Sequence, residues 1–272
     1  MYLIYIAFFI IGLFCGSLVN YMAGGVTREP RSFELSNCRE CTQKWRWLYM
    51  LPIFGFVLAK GRCPRCGKPL GFHLVLVEIG CGILLALLLW RFGLTWELSL
   101  TAIYCLILLI LLVTDLEKML LPNVVTYPGF IIVLVLSTAV MALNFEPRWF
   151  FYIPATGFLS IVNNYLVSSV LGALTGFILL LLVVVVSRGG MALGDVKLAA
   201  LVGLMTGFPI IFVALFVGII GGGLIAGLLL LTRLRKRKDP MPFGPFLCLG
   251  GMVALLWGTE ILKWYLAPLS TA

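Results

Sequence analysis

Apolar runs of about twenty residues recur along the whole chain, near positions 2–24, 74–92, 97–114, 124–143, 165–187, 196–207, 209–232 and 244–266. Roughly 20 such residues in a helix match the hydrocarbon core of a bilayer, and a helix satisfies its backbone polar groups within the segment. The sixth run is short, and Gly207-Phe208-Pro209 offers a tight turn from it into the seventh. The reading is an all-α polytopic membrane protein of about eight transmembrane helices, with seven as the alternative. Composition agrees: 62% of the 272 residues are hydrophobic and 11% are charged, whereas soluble domains carry about 25% charged residues. That excludes a soluble enzyme, a disordered tail and a disulfide-stapled secreted domain. No basic stretch precedes the first run, which argues against a cleavable signal peptide.

Lysine and arginine accumulate on the cytoplasmic side of a membrane protein. With the N-terminus outside, the cytoplasmic segments receive seventeen of the twenty basic residues; only Arg91, Arg148 and Lys263 fall outside. The expected topology has both termini outside and four cytoplasmic segments. It divides the chain into a first transmembrane helix (1–24), a cytoplasmic segment (25–73) and a transmembrane core (74–272). The net charge of +9 is thereby explained by orientation, not by nucleic acid. The run Arg233 to Lys238 reads as an anchor on anionic lipid headgroups.

Four of the eight cysteines form two pairs in segment 25–73, Cys38-Arg-Glu-Cys41 and Cys63-Pro-Arg-Cys66, with 21 residues between them. Two Cys-x-x-Cys knuckles at that separation match a tetrahedral four-thiolate zinc site. The alternative, a pair of disulfides, conflicts with a reducing compartment. Four thiolates leave no open position, so the zinc is expected to be structural. Between the pairs, the aromatic stretch Trp45 to Phe56 suits either interfacial insertion or packing inside the zinc segment.

Only three aspartates are present. Asp239 lies in the basic loop, while Asp115 and Asp195 stand at ends of apolar runs. The chain between those two crosses the membrane twice, which returns the second to the side of the first. Two carboxylates close together at low dielectric cannot both ionise, and a pair sharing one proton can activate water and protonate a carbonyl. Two other readings stay open here: Asp195 as an N-cap of the sixth helix, and Asp115 as a hydrated helix end. Glu78, about one turn into the second span, needs a partner, either in a second active site or as an arginine pair. Gly218-x-x-x-Gly222 and Gly223-x-x-x-Gly227 suit close helix packing.

Several short elements, in order, resemble those of the type IV prepilin peptidases, bacterial membrane aspartyl proteases of the Gly-x-Gly-Asp type. They are Gly16-Ser17-Leu18-Val19-Asn20, Gly61 to Leu70, Leu76-Val77-Glu78, Asp115-Leu116-Glu117 through Leu121-Pro122, Gly194-Asp195-Val196-Lys197 and Pro242 to Leu247. The resemblance implies an endopeptidase of the bacterial cytoplasmic (inner) membrane that removes leaders from type IV prepilins or pseudopilins at the cytoplasmic face. Asp115 and Asp195 are then the catalytic pair, with Gly194, Lys197 and Glu78 in support and Lys197 tuning or orienting Asp195. Many such enzymes also methylate the new N-terminus with S-adenosylmethionine; no residue here is assigned to that cofactor. The chain departs from the pattern at Ala192, where the motif has glycine, and at Gly25, Met50-Leu51-Pro52 and His73-Leu74-Val75. All but the change at Ala192 cluster in the segment associated with methylation, and that activity stays an open alternative. Two rivals come from other classes: a proton-coupled transporter using Asp115, Asp195 and Glu78, and a non-catalytic membrane scaffold with a zinc module.

Overall fold

The computed structural model describes residues 2–26, 53, 56–57, 61–62, 67, 71–152, 163–186, 192–232 and 242–267. Among them are eight helices: α1 (Tyr2–Val26), α2 (His73–Phe92), α3 (Trp96–Lys118), α4 (Asn123–Ala142), α5 (Tyr165–Val186), α6 (Leu193–Thr206), α7 (Ile211–Leu231) and α8 (Gly244–Leu266). Seven are long and apolar enough to cross a membrane; α6, with 14 residues, is the exception. At 1.5 Å per residue it reaches roughly 21 Å, short of a ~30 Å hydrocarbon core. The described chain forms two compact units, Met1–Thr114 and Asp115–Ala272.

In the first unit α1 packs along α2. Lipid offers no hydrophobic drive for helices to associate, so such contacts depend on small residues that let backbones close. Gly12 and Gly16 supply them: a Cβ on Gly12 would sit 2.6 Å from the Gly82 Cα, and one on Gly16 would sit 2.6 Å from the Glu78 Cα. The Gly16-to-Asn20 element is thus a packing face, and it ends in Asn20, whose Nδ2 donates to the Leu74 carbonyl at 2.9 Å. Helix α2 stops at Gly93, whose φ of 68° is free to glycine and whose N–H caps the Leu89 carbonyl.

The second unit is built around α6. Every residue from Asp195 to Thr206 except Lys197 is buried, as expected of a short helix that is apolar on all sides. Helix α5 crosses it at glycines: a Cβ on Gly176 would stand 2.5 Å from the Ala199 carbonyl oxygen, and Gly172 meets Gly203 directly. The turn after α6 is clipped to α5 by a reciprocal pair, Phe208 N–H to the Ser168 carbonyl (2.9 Å) and Ser168 Oγ to the Phe208 carbonyl (2.8 Å). Helix α7 packs on α8. Gly218 and Gly222 face Phe246 of α8, while Gly223 and Gly227 have no described atom within 4 Å of a built Cβ. Only the first of the two glycine pairs therefore makes a helix contact among the described residues.

Candidate active site

Three helix ends meet in the second unit: the last turn of α3, the first turn of α6 and the first residue of α8. Asp115 stands three residues before the end of α3, and its carbonyl accepts the Met119 N–H at 2.8 Å. Met119 at φ 52° turns the chain through Leu120-Leu121 to Pro122, after which α4 begins. Gly194 sits against that turn, its absent Cβ 3.3 Å from Leu121 Cδ1. Asp195 is inside the first turn of α6; the N-cap position falls to Ala192, so Asp195 is not the cap. With the helix already closed behind it, the Asp195 carboxylate points elsewhere.

Both carboxylates are buried, Asp115 at 5% exposure and Asp195 at 6%. Gly244 lies between them. A Cβ built on it would be 2.5 Å from Asp115 Oδ2 and 3.5 Å from Asp195 Oδ1, so those oxygens are no further apart than the sum of those lengths, 6 Å. The Gly244 N–H donates to the Asp115 carboxylate, and Asp115 Oδ2 is left buried with no hydrogen-bond partner among the described residues. No described donor reaches the Asp195 side chain. Burial first, and the charge of Asp115 second, push the Asp195 carboxyl up to about 6 from its ordinary 3.8. Cys248, one turn along α8, is fully buried. A pair of carboxyls in this setting can hold one proton between them at near-neutral pH, which is the state in which one can accept a proton while the other donates.

Lys197 takes a different direction. Its ammonium donates to Asn123 Oδ1 (3.2 Å) and Tyr127 Oη (3.4 Å) of α4 and lies 5.4 Å from the Tyr127 ring centre. It ties α6 to α4, and no described bond joins it to Asp195. Glu78, in the first unit, is likewise occupied. Its Oε2 accepts the Ile53 N–H at 2.7 Å, and Asn20 donates to the same carboxylate. Where an arginine partner is one expectation for this buried carboxylate, the described structure supplies a backbone amide and an asparagine. Cys38, Cys41, Cys63 and Cys66 lie outside the described residues. Among the described residues no group of three or more His, Cys, Asp or Glu could hold a metal ion.

Sequence alone assigns Gly244 no role in the site. The only signal was the resemblance of Pro242 to Leu247, which carried no role. What places Gly244 at the carboxylates is tertiary contact, for which its spacing from Asp195 holds no periodicity.

Known proteins match along most of the chain. Residues 10–92 match a model of the bacterial peptidase A24 N-terminal domain, and residues 102–227 match one of the type IV leader peptidase family. The latter span contains Asp115 and Asp195. A prepilin leader peptidase/N-methyltransferase of Bacillus subtilis (strain 168) is 29% identical over 95% of this chain and 96% of its own. One of Pseudomonas putida is 30% identical over 86% of this chain and 77% of its own, and one of Pseudomonas aeruginosa 28% over 85% and 74%. No solved structure matches the chain. The chain belongs to the type IV leader peptidase family.

Proposed function

We propose that the protein is a membrane aspartyl endopeptidase that removes the leader from type IV prepilins or pseudopilins. The observation that carries this is the meeting of two buried aspartates, Asp115 and Asp195, on either side of Gly244. In the reaction, the ionised carboxylate takes a proton from water as the water oxygen bonds to the scissile carbonyl carbon. The protonated carboxyl gives its proton to the carbonyl oxygen. The tetrahedral intermediate then collapses as a proton passes to the amide nitrogen and the C–N bond breaks. That leaves a carboxyl end on the leader and a free amine on the pilin. A proton-relay transporter or a scaffold would not account for membership in a peptidase family.

The chain lies in the bacterial inner membrane with both termini outside and the aspartates at the cytoplasmic face, because its basic residues collect on that side. A leader on a precursor whose N-terminus is cytoplasmic can be reached only from there. The apolar stretch 196–207 enters the bilayer just past Asp195 and returns through α7, giving the eighth membrane element. Segment 25–73 separates the first transmembrane helix from the core, and its four cysteine thiolates suit one structural zinc. The relatives' names also support a second activity. S-adenosylmethionine would then supply an electrophilic methyl group to the newly freed amine.

The test is incubation of the purified protein in lipid nanodiscs with a prepilin, reading product masses. A product lacking the leader supports the peptidase, and one heavier by a methyl group supports the second activity. An intact prepilin after exposure to several precursors overturns the reading.

A further inference from the structure

We infer that Gly244 is a positioning residue for the hydrolytic step: its bare Cα lets the Asp115 carboxylate seat against the start of α8 within reach of Asp195, while its N–H holds that carboxylate there. This rests on the proposed peptidase reading and deepens it. The direction a Cβ would take from Gly244 leads between the two carboxylates, 2.5 Å from Asp115 Oδ2 and 3.5 Å from Asp195 Oδ1. A methyl there would overlap Asp115 Oδ2, so the carboxylate or the helix would have to move. The overlap is steric alone, because Gly244 is not among the glycines with positive φ. Asp115 Oδ2 is sealed against solvent and left without a hydrogen-bond partner among the described residues, so its place beside the Gly244 Cα is set by the room that the missing side chain leaves. The first turn of α8 suits such a seat. Pro245 follows at a helix start, where its missing N–H leaves no bond unmade. Cys248, four residues on, is also fully buried.

The experiment compares prepilin cleavage by wild type, Gly244→Ala, Asp115→Asn and Asp195→Asn in nanodiscs. For Gly244→Ala the expected result is a fall in kcat of about 100-fold, the scale of a misplacement of roughly 1 Å at the reacting groups. KM should hold within about twofold, because the leader and helix still bind. A kcat within about threefold of wild type overturns the inference. Two inactive Asp→Asn variants beside a fully active Gly244→Ala would sink it alone, whereas cleavage by either Asp→Asn variant would sink the dyad itself. Should Gly244→Ala fail to fold, a high-resolution structure of the wild type decides. The expected structure has the Asp115 carboxylate in contact with the Gly244 Cα and hydrogen-bonded to its N–H, and a carboxylate turned away from Gly244 overturns the inference.

Discussion

Asp195 ought to make the protein less stable at neutral pH than at acid pH. Its carboxyl is pushed up to about 6 in the fold, from 3.8, by burial and by Asp115. The folded protein therefore holds a proton that the unfolded chain releases. Below about pH 4 both states are protonated and there is no penalty. Between about pH 4 and 6 the unfolded state gains by ionising, so stability falls as pH rises, and above about 6 the loss is complete. A rise of about two units at about 1.4 kcal/mol per unit amounts to about 3 kcal/mol. Asp195→Asn keeps the shape and removes the titration. At pH 7 it should be about 2 to 3 kcal/mol more stable than wild type, with the gap closing to near zero by about pH 4. Thermal unfolding of both proteins in the same nanodiscs, followed across that range, reads the difference. A gap independent of pH, or an Asn variant less stable at pH 7, would refute the reasoning.

Three further outcomes follow from packing and from the cysteine chemistry. Gly203→Val should lower stability by about 3 kcal/mol or more, because its side chain would have to enter the backbone of α5 at Gly172; thermal unfolding checks it, and a loss under about 1 kcal/mol would contradict the crossing. Glu78→Ala leaves the Ile53 N–H without its acceptor and takes from the Asn20 amide one of two, the Leu74 carbonyl remaining. It should destabilise by about 1 to 3 kcal/mol, with Glu78→Gln retaining part of that by keeping one acceptor oxygen. Metal analysis of the purified protein should find one zinc per chain, lost when Cys38 and Cys41 are both changed to serine; a metal content unaffected by that change would contradict the four-thiolate site.

Much of this arrangement was legible in the amino-acid order because membrane helices announce themselves by length and apolarity. The described helices fall close to the apolar runs, and the even number of runs between Asp115 and Asp195 puts the two on one side in the sequence reading. What stayed hidden depended on contacts between distant segments. Asp195 after Gly194 resembled an N-cap, but the helix starts earlier, at Leu193, with Gly194 lying against the turn at Leu121. Lys197, two residues beyond Asp195, faces another way on the helix, and so it reaches α4 instead of the dyad. Of two similar glycine spacings in α7, only the one opposite Phe246 is used among the described residues, and nothing in the spacing tells them apart. Gly244 is the sharpest case, since its importance lies in an atom it lacks.

The central claim is that Asp115 and Asp195 act as one catalytic unit. A double-mutant cycle of cleavage rates tests it directly, using Asp115→Asn, Asp195→Asn and the pair together on one prepilin, with folding checked by thermal unfolding. A shared proton predicts that each single change reduces cleavage to background and that the double change is no worse, because either one already breaks the unit. Measurable turnover in either single variant, or losses that add in the double, would contradict the account.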